Sequence, residues 1–66
     1  MKYKIKLYPA PGGGWTFQVT DKKNVILIES KLPRSREICR RQAVTFIEEQ
    51  KDFKSLKDIE EEVSAN

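Results

Sequence analysis

The sequence predicts an α+β domain in which a three-stranded antiparallel sheet is covered on one face by one main helix, in the order β-β-β-α. Two patterns predict this fold class. In the first half of the chain, apolar residues alternate with polar ones, which is typical of strands with one buried face. In the second half, apolar residues recur at helical spacing. The length of 66 residues allows one domain at most.

The first two predicted strands alternate strictly between apolar and polar side chains. Residues 2–8 read KYKIKLY and residues 15–20 read WTFQVT. Two prolines and three glycines lie between them, so a flexible turn joins the strands. We expect the apolar members of both strands on the sheet face that meets the helix: Tyr3, Ile5, Leu7, Trp15, Phe17 and Val19.

The third strand is predicted over residues 25–29, after a turn that contains Asp21 and Asn24. It reads VILIE and does not alternate, because every residue from Val25 to Ile28 is apolar. Such a run is typical of a strand that is covered on both faces. One face would meet the helix, and the other needs a further partner in a chain this short.

The main helix is predicted from Arg36 to about Gln50, with Ser35 as its N-cap. An acid in its first turn, Glu37, suits the positive end of the helix dipole. The apolar stripe that would cover the sheet consists of Cys39, Ala43, Phe46 and Ile47.

The C-terminal segment is predicted to form a short acidic helix, because Leu56, Ile59 and Val63 are three and four residues apart. The sequence therefore divides into a β-β-β-α domain over residues 1–52 and a short helix with a frayed tail over residues 53–66.

Composition gives little support for catalysis or for a bound cofactor. The chain has one cysteine, Cys39, and no histidine. One thiol cannot form an internal disulfide, structural zinc sites need about four ligands, and a Ser-His or Cys-His nucleophile pair cannot be built. The place of Cys39 on the apolar stripe favours a buried residue over a reactive thiolate. We therefore predict a protein that is not an enzyme, with no metal, no cofactor and no evident small-molecule substrate.

No stretch of the sequence has the length and hydropathy of a signal peptide or a membrane span. The longest apolar run covers only residues 25–28. Together with the single cysteine, this predicts a cytoplasmic protein without a membrane partner.

Charge is distributed unevenly along the chain. The net charge is +3, but residues 1–41 carry ten Lys and Arg against three Asp and Glu, a net +7. Residues 42–66 carry three Lys against seven Asp and Glu, a net −4. A basic front half suggests an anionic partner, although charge that only keeps a protein soluble has the same pattern.

One candidate binding surface is the face of the third strand that the helix does not cover. We place Ile26 and Ile28 on this face and Val25 and Leu27 toward the helix. A shift of one residue would exchange the two pairs, so both registers stay open. An uncovered apolar face predicts self-association as a homodimer, or contact with another protein chain.

The second candidate surface is basic. Lys2, Lys4 and Lys6 would share the exposed sheet face with Thr16 and Gln18. Four arginines surround the start of the helix: Arg34, Arg36, Arg40 and Arg41. These groups could contact the phosphate backbone of a nucleic acid, and a sheet can enter the major groove. The same lysines are also typical of an edge strand that is protected from aggregation.

Residues 3–47 resemble the YegP-type domain, a small bacterial module of poorly defined function. The resemblance rests on the stretches WTFQV, NVILIES and SREICRRQAVTFI, which match a tryptophan strand, a strand ending in serine and a Ser-led helix. It implies a domain that occurs in tandem copies or associated pairs, in agreement with a homodimer.

The same element order is similar to the arm-type DNA-binding domain of tyrosine recombinases, which lays a three-stranded sheet into the major groove. The stretch YKIKLYPAPGGGWTFQV would be the matching hairpin. Neither resemblance supplies catalytic residues.

The sequence thus predicts a small interaction or regulatory module, from a phage, another mobile element or a bacterium, that binds another protein chain. Self-association is expected. The alternative is a nucleic-acid-binding domain that uses the lysine-rich sheet face.

Overall fold

In the computed structural model, which describes residues 2–63, one sheet carries one helix on one of its faces. The elements in chain order are β1 (Tyr3–Pro9), β2 (Trp15–Asp21), β3 (Ile26–Glu29), α1 (Arg36–Glu48), a 3-10 turn (Leu56–Asp58) and β4 (Ile59–Val63). The strands lie in the order β3-β2-β1-β4. The pairs β1-β2 and β2-β3 are antiparallel, whereas β4 runs parallel to β1. The protein is a small α+β domain.

The predicted three-stranded antiparallel sheet is wrong, because the sheet has a fourth strand and is mixed. The segment predicted as a short C-terminal helix forms the 3-10 turn and then β4. Its apolar residues fit a helix, but β1 offers a free edge whose backbone groups need partners, and β4 supplies them. Of the predicted frayed tail, residues 64–66 lie outside the described part of the chain.

α1 begins where the sequence predicts. Ser35 is the N-cap, and its side-chain oxygen accepts a hydrogen bond from the backbone N–H of Ile38 at 3.2 Å. The stripe of Cys39, Ala43 and Ile47 is buried against β1 and β2. Within residues 2–63, no helix has the length and apolar character needed to cross a membrane.

The core lies between α1 and the face of the sheet that α1 covers, here called the inner face. Its buried apolar residues are Tyr3, Ile5, Leu7, Phe17, Val19, Cys39, Ala43 and Ile47. Trp15 and Phe46, which the sequence predicts as members of the core, are half-buried and pack at its rim. The opposite face of the sheet is called the outer face below.

β3 contains an irregularity that changes the predicted faces. Ile28 pairs with Val19 and Ile26 pairs with Thr20, so Leu27 is an extra residue between the two pairs. Ile28 therefore shares the inner face with Val19 and packs against the core, although the sequence analysis places it outward. Ile26 is exposed, as the sequence analysis expects.

Candidate binding surfaces

The single thiol lies in the core. Cys39 has no exposed surface, and its Sγ–H donates a hydrogen bond to the backbone carbonyl of Trp15 at 3.1 Å. Burial raises the pKa of Cys39, and the neighbouring Arg34 offsets only part of that rise. A buried thiol with a raised pKa is a poor nucleophile. Among residues 2–63, no three His, Cys, Asp or Glu side chains are grouped so that they could hold a metal ion.

Tyr3 ties β1 to the segment that follows α1. Its hydroxyl donates a hydrogen bond to the carboxylate of Asp52. This bond, together with burial and the negative charges of Asp52, Asp21 and Asp58, raises the pKa of Tyr3 to about 12. The phenol is therefore protonated at neutral pH and acts as a structural contact, not as a general base.

The lysines of β1 lie on the outer face, because the residues that alternate with them are buried on the inner face. Lys6 is paired in register with Gln18, and the next outer-face residue of β1, Tyr8, is paired with Thr16. The structure thus brings one set of predicted residues together on the outer face: Lys2, Lys4, Lys6, Thr16 and Gln18.

Acidic residues of β4 lie directly beside these lysines. The carboxylate of Glu60 is 3.7 Å from the Nζ of Lys2, and that of Glu62 is 3.9 Å from the Nζ of Lys4. These partners cannot be predicted from the sequence pattern, which indicates a helix over this segment. Two of the three lysines are therefore already paired with carboxylates of the same chain.

Two of the predicted arginines surround Trp15 at the start of β2. The backbone of Arg34 forms a bridge with Trp15, in which each residue donates one N–H to the carbonyl of the other, at 2.7 and 2.9 Å. The guanidinium of Arg36 lies over the indole, with its Cζ 5.7 Å from the ring centroid. Both residues thus take part in packing the chain around the rim of the core.

The other two predicted arginines lie on α1 and are paired with acids. The Nε of Arg40 donates a hydrogen bond to the carboxylate of Glu61 in β4 at 3.0 Å. Arg41 lies 3.5 Å from Glu37, one helical turn earlier. Because α1 covers the inner face, its three arginines, Arg36, Arg40 and Arg41, lie on a different surface from the three lysines. The predicted basic set is not one continuous site.

β3 forms one edge of the sheet, and three neighbouring apolar residues at this edge are exposed. Val25 is 52% exposed, Ile26 53% and Leu27 38%. Ile26 is predicted as an exposed residue from the sequence, whereas Val25 and Leu27 are predicted to face the helix. All three exposed residues can be identified from the uninterrupted apolar run, when it is taken together with the position of β3 at an edge of the sheet.

Comparison with other proteins adds no relative to this description: a scan against protein-family models, a search of curated proteins and a search of solved structures each give no match. The resemblances to the YegP-type domain and to the recombinase arm-type domain therefore stay predictions. The function has to be argued from the two surfaces themselves.

Proposed function

We propose that the protein is a non-catalytic interaction module that binds another protein chain through the edge of β3, with a second copy of itself as the partner. The observation that carries this proposal is the run of three exposed apolar residues, Val25, Ile26 and Leu27, at a sheet edge. An edge strand presents unpaired backbone N–H and C=O groups. Apolar side chains beside such groups favour the addition of another strand.

The two edges of the sheet differ in chemistry, and only one of them favours pairing. β4 carries three consecutive acids at its edge, Glu60 to Glu62, and charged residues oppose pairing with another chain. Beyond β3, Lys31 and Pro33 limit the stretch that can pair. The uncharged stretch from Val25 to Ile28 is a place where two copies, each with a net charge of +3, can approach without direct repulsion.

Symmetry supports pairing of β3 with β3. Antiparallel pairing about a twofold axis uses the same residues on both copies, joins the two sheets into one, and leaves no unused apolar edge. Pairing of β3 with β4 of another copy would place apolar side chains beside glutamates and would leave an apolar β3 edge free at one end. The closed dimer avoids both consequences.

The proposal is tested by the substitution Ile26→Lys. We expect this variant to remain folded, because Ile26 is exposed, and to weaken self-association at least about tenfold, because the contact would bury a lysine. Leu56→Lys is the matched control, since Leu56 is 67% exposed but lies next to β4 at the opposite side of the sheet. Sedimentation velocity over the micromolar range gives the oligomeric state, and circular dichroism gives the fold.

Two outcomes contradict the proposal. One is a wild-type protein that sediments as a monomer at high micromolar concentration. The other is an Ile26→Lys variant that associates as strongly as Leu56→Lys, which would show that the edge of β3 is not the contact.

A further inference from the structure

The outer face carries a row of cations that a dimer contact at β3 does not need. Lys4 and Lys6 of β1 and Lys2 directly before it form this row, with a spacing of about 7 Å within the strand, because alternate residues of a strand are separated by two rises of about 3.3 Å. We propose that this face binds the phosphate backbone of a nucleic acid, and that Glu60 and Glu62 occupy the lysines until the nucleic acid displaces them. This proposal does not rest on the dimer proposed above.

A fourth cation strengthens one end of the row. Lys22, just after β2, lines a shallow recess together with Lys2 and Lys4. Two acids, Asp21 and Glu60, line the same recess. The carboxylate of Asp21 accepts hydrogen bonds from two backbone N–H groups of its own turn, at 2.8 and 3.0 Å. Glu60 is therefore the carboxylate that a phosphate would have to replace.

The ion pairs that hold the glutamates are suited to replacement. Their N–O distances of 3.7 and 3.9 Å are longer than those of charge-assisted hydrogen bonds. All four side chains are exposed or half-exposed, and exposed pairs of this kind contribute little to stability. Lys6 forms no ion pair with any residue in the described part of the chain. A phosphate backbone would meet Lys6 first and then compete for the two paired lysines.

The neutral groups beside the lysines suit a phosphate backbone better than a lipid surface. Tyr8, Thr16 and Gln18 present hydroxyl and amide groups along the neighbouring positions, and such groups make many of the backbone contacts of nucleic-acid-binding proteins. The Nε2 of Gln18 donates a hydrogen bond to the carboxylate of Glu29 at 2.7 Å, so this amide can donate to an anionic oxygen. Surfaces that insert into a bilayer instead place large apolar residues next to their cations.

The test compares two double variants with the same net charge. Glu60→Gln with Glu62→Gln removes the acids beside the lysines, and Glu48→Gln with Glu49→Gln removes two acids at the end of α1. Binding to a DNA duplex of about 20 base pairs is measured by fluorescence anisotropy from about 50 to about 200 mM NaCl. We expect the first variant to bind about tenfold more tightly at the lowest salt. We expect its plot of log K against log salt to steepen by about two, because two more lysines displace counterions.

Three further measurements show where the tighter binding of the first variant comes from. Adding Lys2→Gln and Lys4→Gln to the first variant should abolish it. Repeating the titration with an RNA hairpin of equal charge distinguishes the two sources of phosphate backbone, and a gain with either one supports the proposal. Repeating it in an Ile26→Gln background, which adds no charge to the outer face, keeps the result independent of dimer formation.

Several results would overturn the proposal. One is an equal increase in affinity for the duplex in the Glu48/Glu49 variant. Another is that the Glu60/Glu62 variant binds neither nucleic acid at the lowest salt. The third is an equal increase in affinity of the Glu60/Glu62 variant for phosphatidylserine vesicles. If the Glu60/Glu62 variant does not fold, backbone amide shifts of the wild-type protein on addition of the duplex replace it. Shifts in β1 and β4 support the proposal, and their absence overturns it.

Discussion

Tyr3 shows how one polar contact can join distant parts of a small domain. The residue belongs to β1 and is almost fully buried, yet its hydroxyl reaches Asp52 beyond the end of α1. The hydrogen bond exists only while the phenol is protonated, since the carboxylate can only accept. The stability that this contact supplies must therefore depend on pH.

The pH range follows from the direction of the pKa shift. The pKa of Tyr3 rises from an ordinary value of 10.0 to about 12 in the folded protein, so the folded state holds the proton more tightly than the unfolded state. The stabilisation is then complete below pH 10 and is lost as the pH rises toward 12. We expect wild-type protein to be more stable than Tyr3→Phe at neutral pH, and this difference to shrink over that range. Denaturant midpoints measured against pH provide the check.

Tyr8→Phe is the control for this measurement. The hydroxyl of Tyr8 lies 3.4 Å from the side-chain oxygen of Gln18, on the outer face and outside the core. We expect its removal to change stability little at any pH. A difference between wild type and Tyr3→Phe that stays constant up to the highest pH would show that the contact with Asp52 does not stabilise the fold.

Among the elements, those that could be predicted carry their signal within a short window. β1 and β2 each show a period of two residues, and α1 shows a helical stripe behind a serine cap. In each case the apolar residues needed to cover the inner face lie close together in the chain. The sequence pattern of each of these segments therefore agrees with the burial of its residues in the folded protein.

β4 and the irregularity in β3 could not be predicted in this way. The stretch IEEEV is rich in an amino acid that strands disfavour, and the spacing of Leu56, Ile59 and Val63 fits a helix equally well. What favours the strand is β1, at the other end of the chain, where lysines lie in register with the glutamates. The same limit applies to the candidate binding site on the outer face. The row of lysines can be predicted from the sequence, whereas the ion pairs that Glu60 and Glu62 form with it cannot.

The turn between β1 and β2 gives a test at the scale of one element. Gly12 and Gly14 both have positive φ, +85° and +77°, so alanine is strained at either position. At Gly14 an added Cβ would also lie 2.9 Å from the Cβ of Pro33, whereas at Gly12 it would meet nothing within 4 Å. We expect Gly12→Ala to cost about 1 kcal/mol and Gly14→Ala about 2–4 kcal/mol. Chemical denaturation measures both, and equal losses would show that the contact with Pro33 does not matter.

Across the whole molecule, folding places the acidic end of the chain beside its basic beginning. The parallel pairing of β4 with β1 brings a segment with three consecutive glutamates next to one with three alternating lysines. The edge of β3, two strands away from β1, carries an uncharged apolar run instead. The molecule therefore presents two different surfaces, a charged outer face and an uncharged, exposed apolar run at β3.

Salt separates these two surfaces in a single experiment. Raising NaCl from about 0.05 M to about 0.5 M shortens the screening length and adds competing ions, so the affinity for a nucleic acid should fall about tenfold to a hundredfold. Apolar burial does not depend on charge, so the dissociation constant of the β3 dimer should change by no more than about threefold over the same range. Sedimentation and anisotropy on one wild-type sample measure both quantities. A dimer that dissociates as salt rises would mean that charged groups hold it together, and the contact would then have to be sought on the outer face, away from Val25, Ile26 and Leu27.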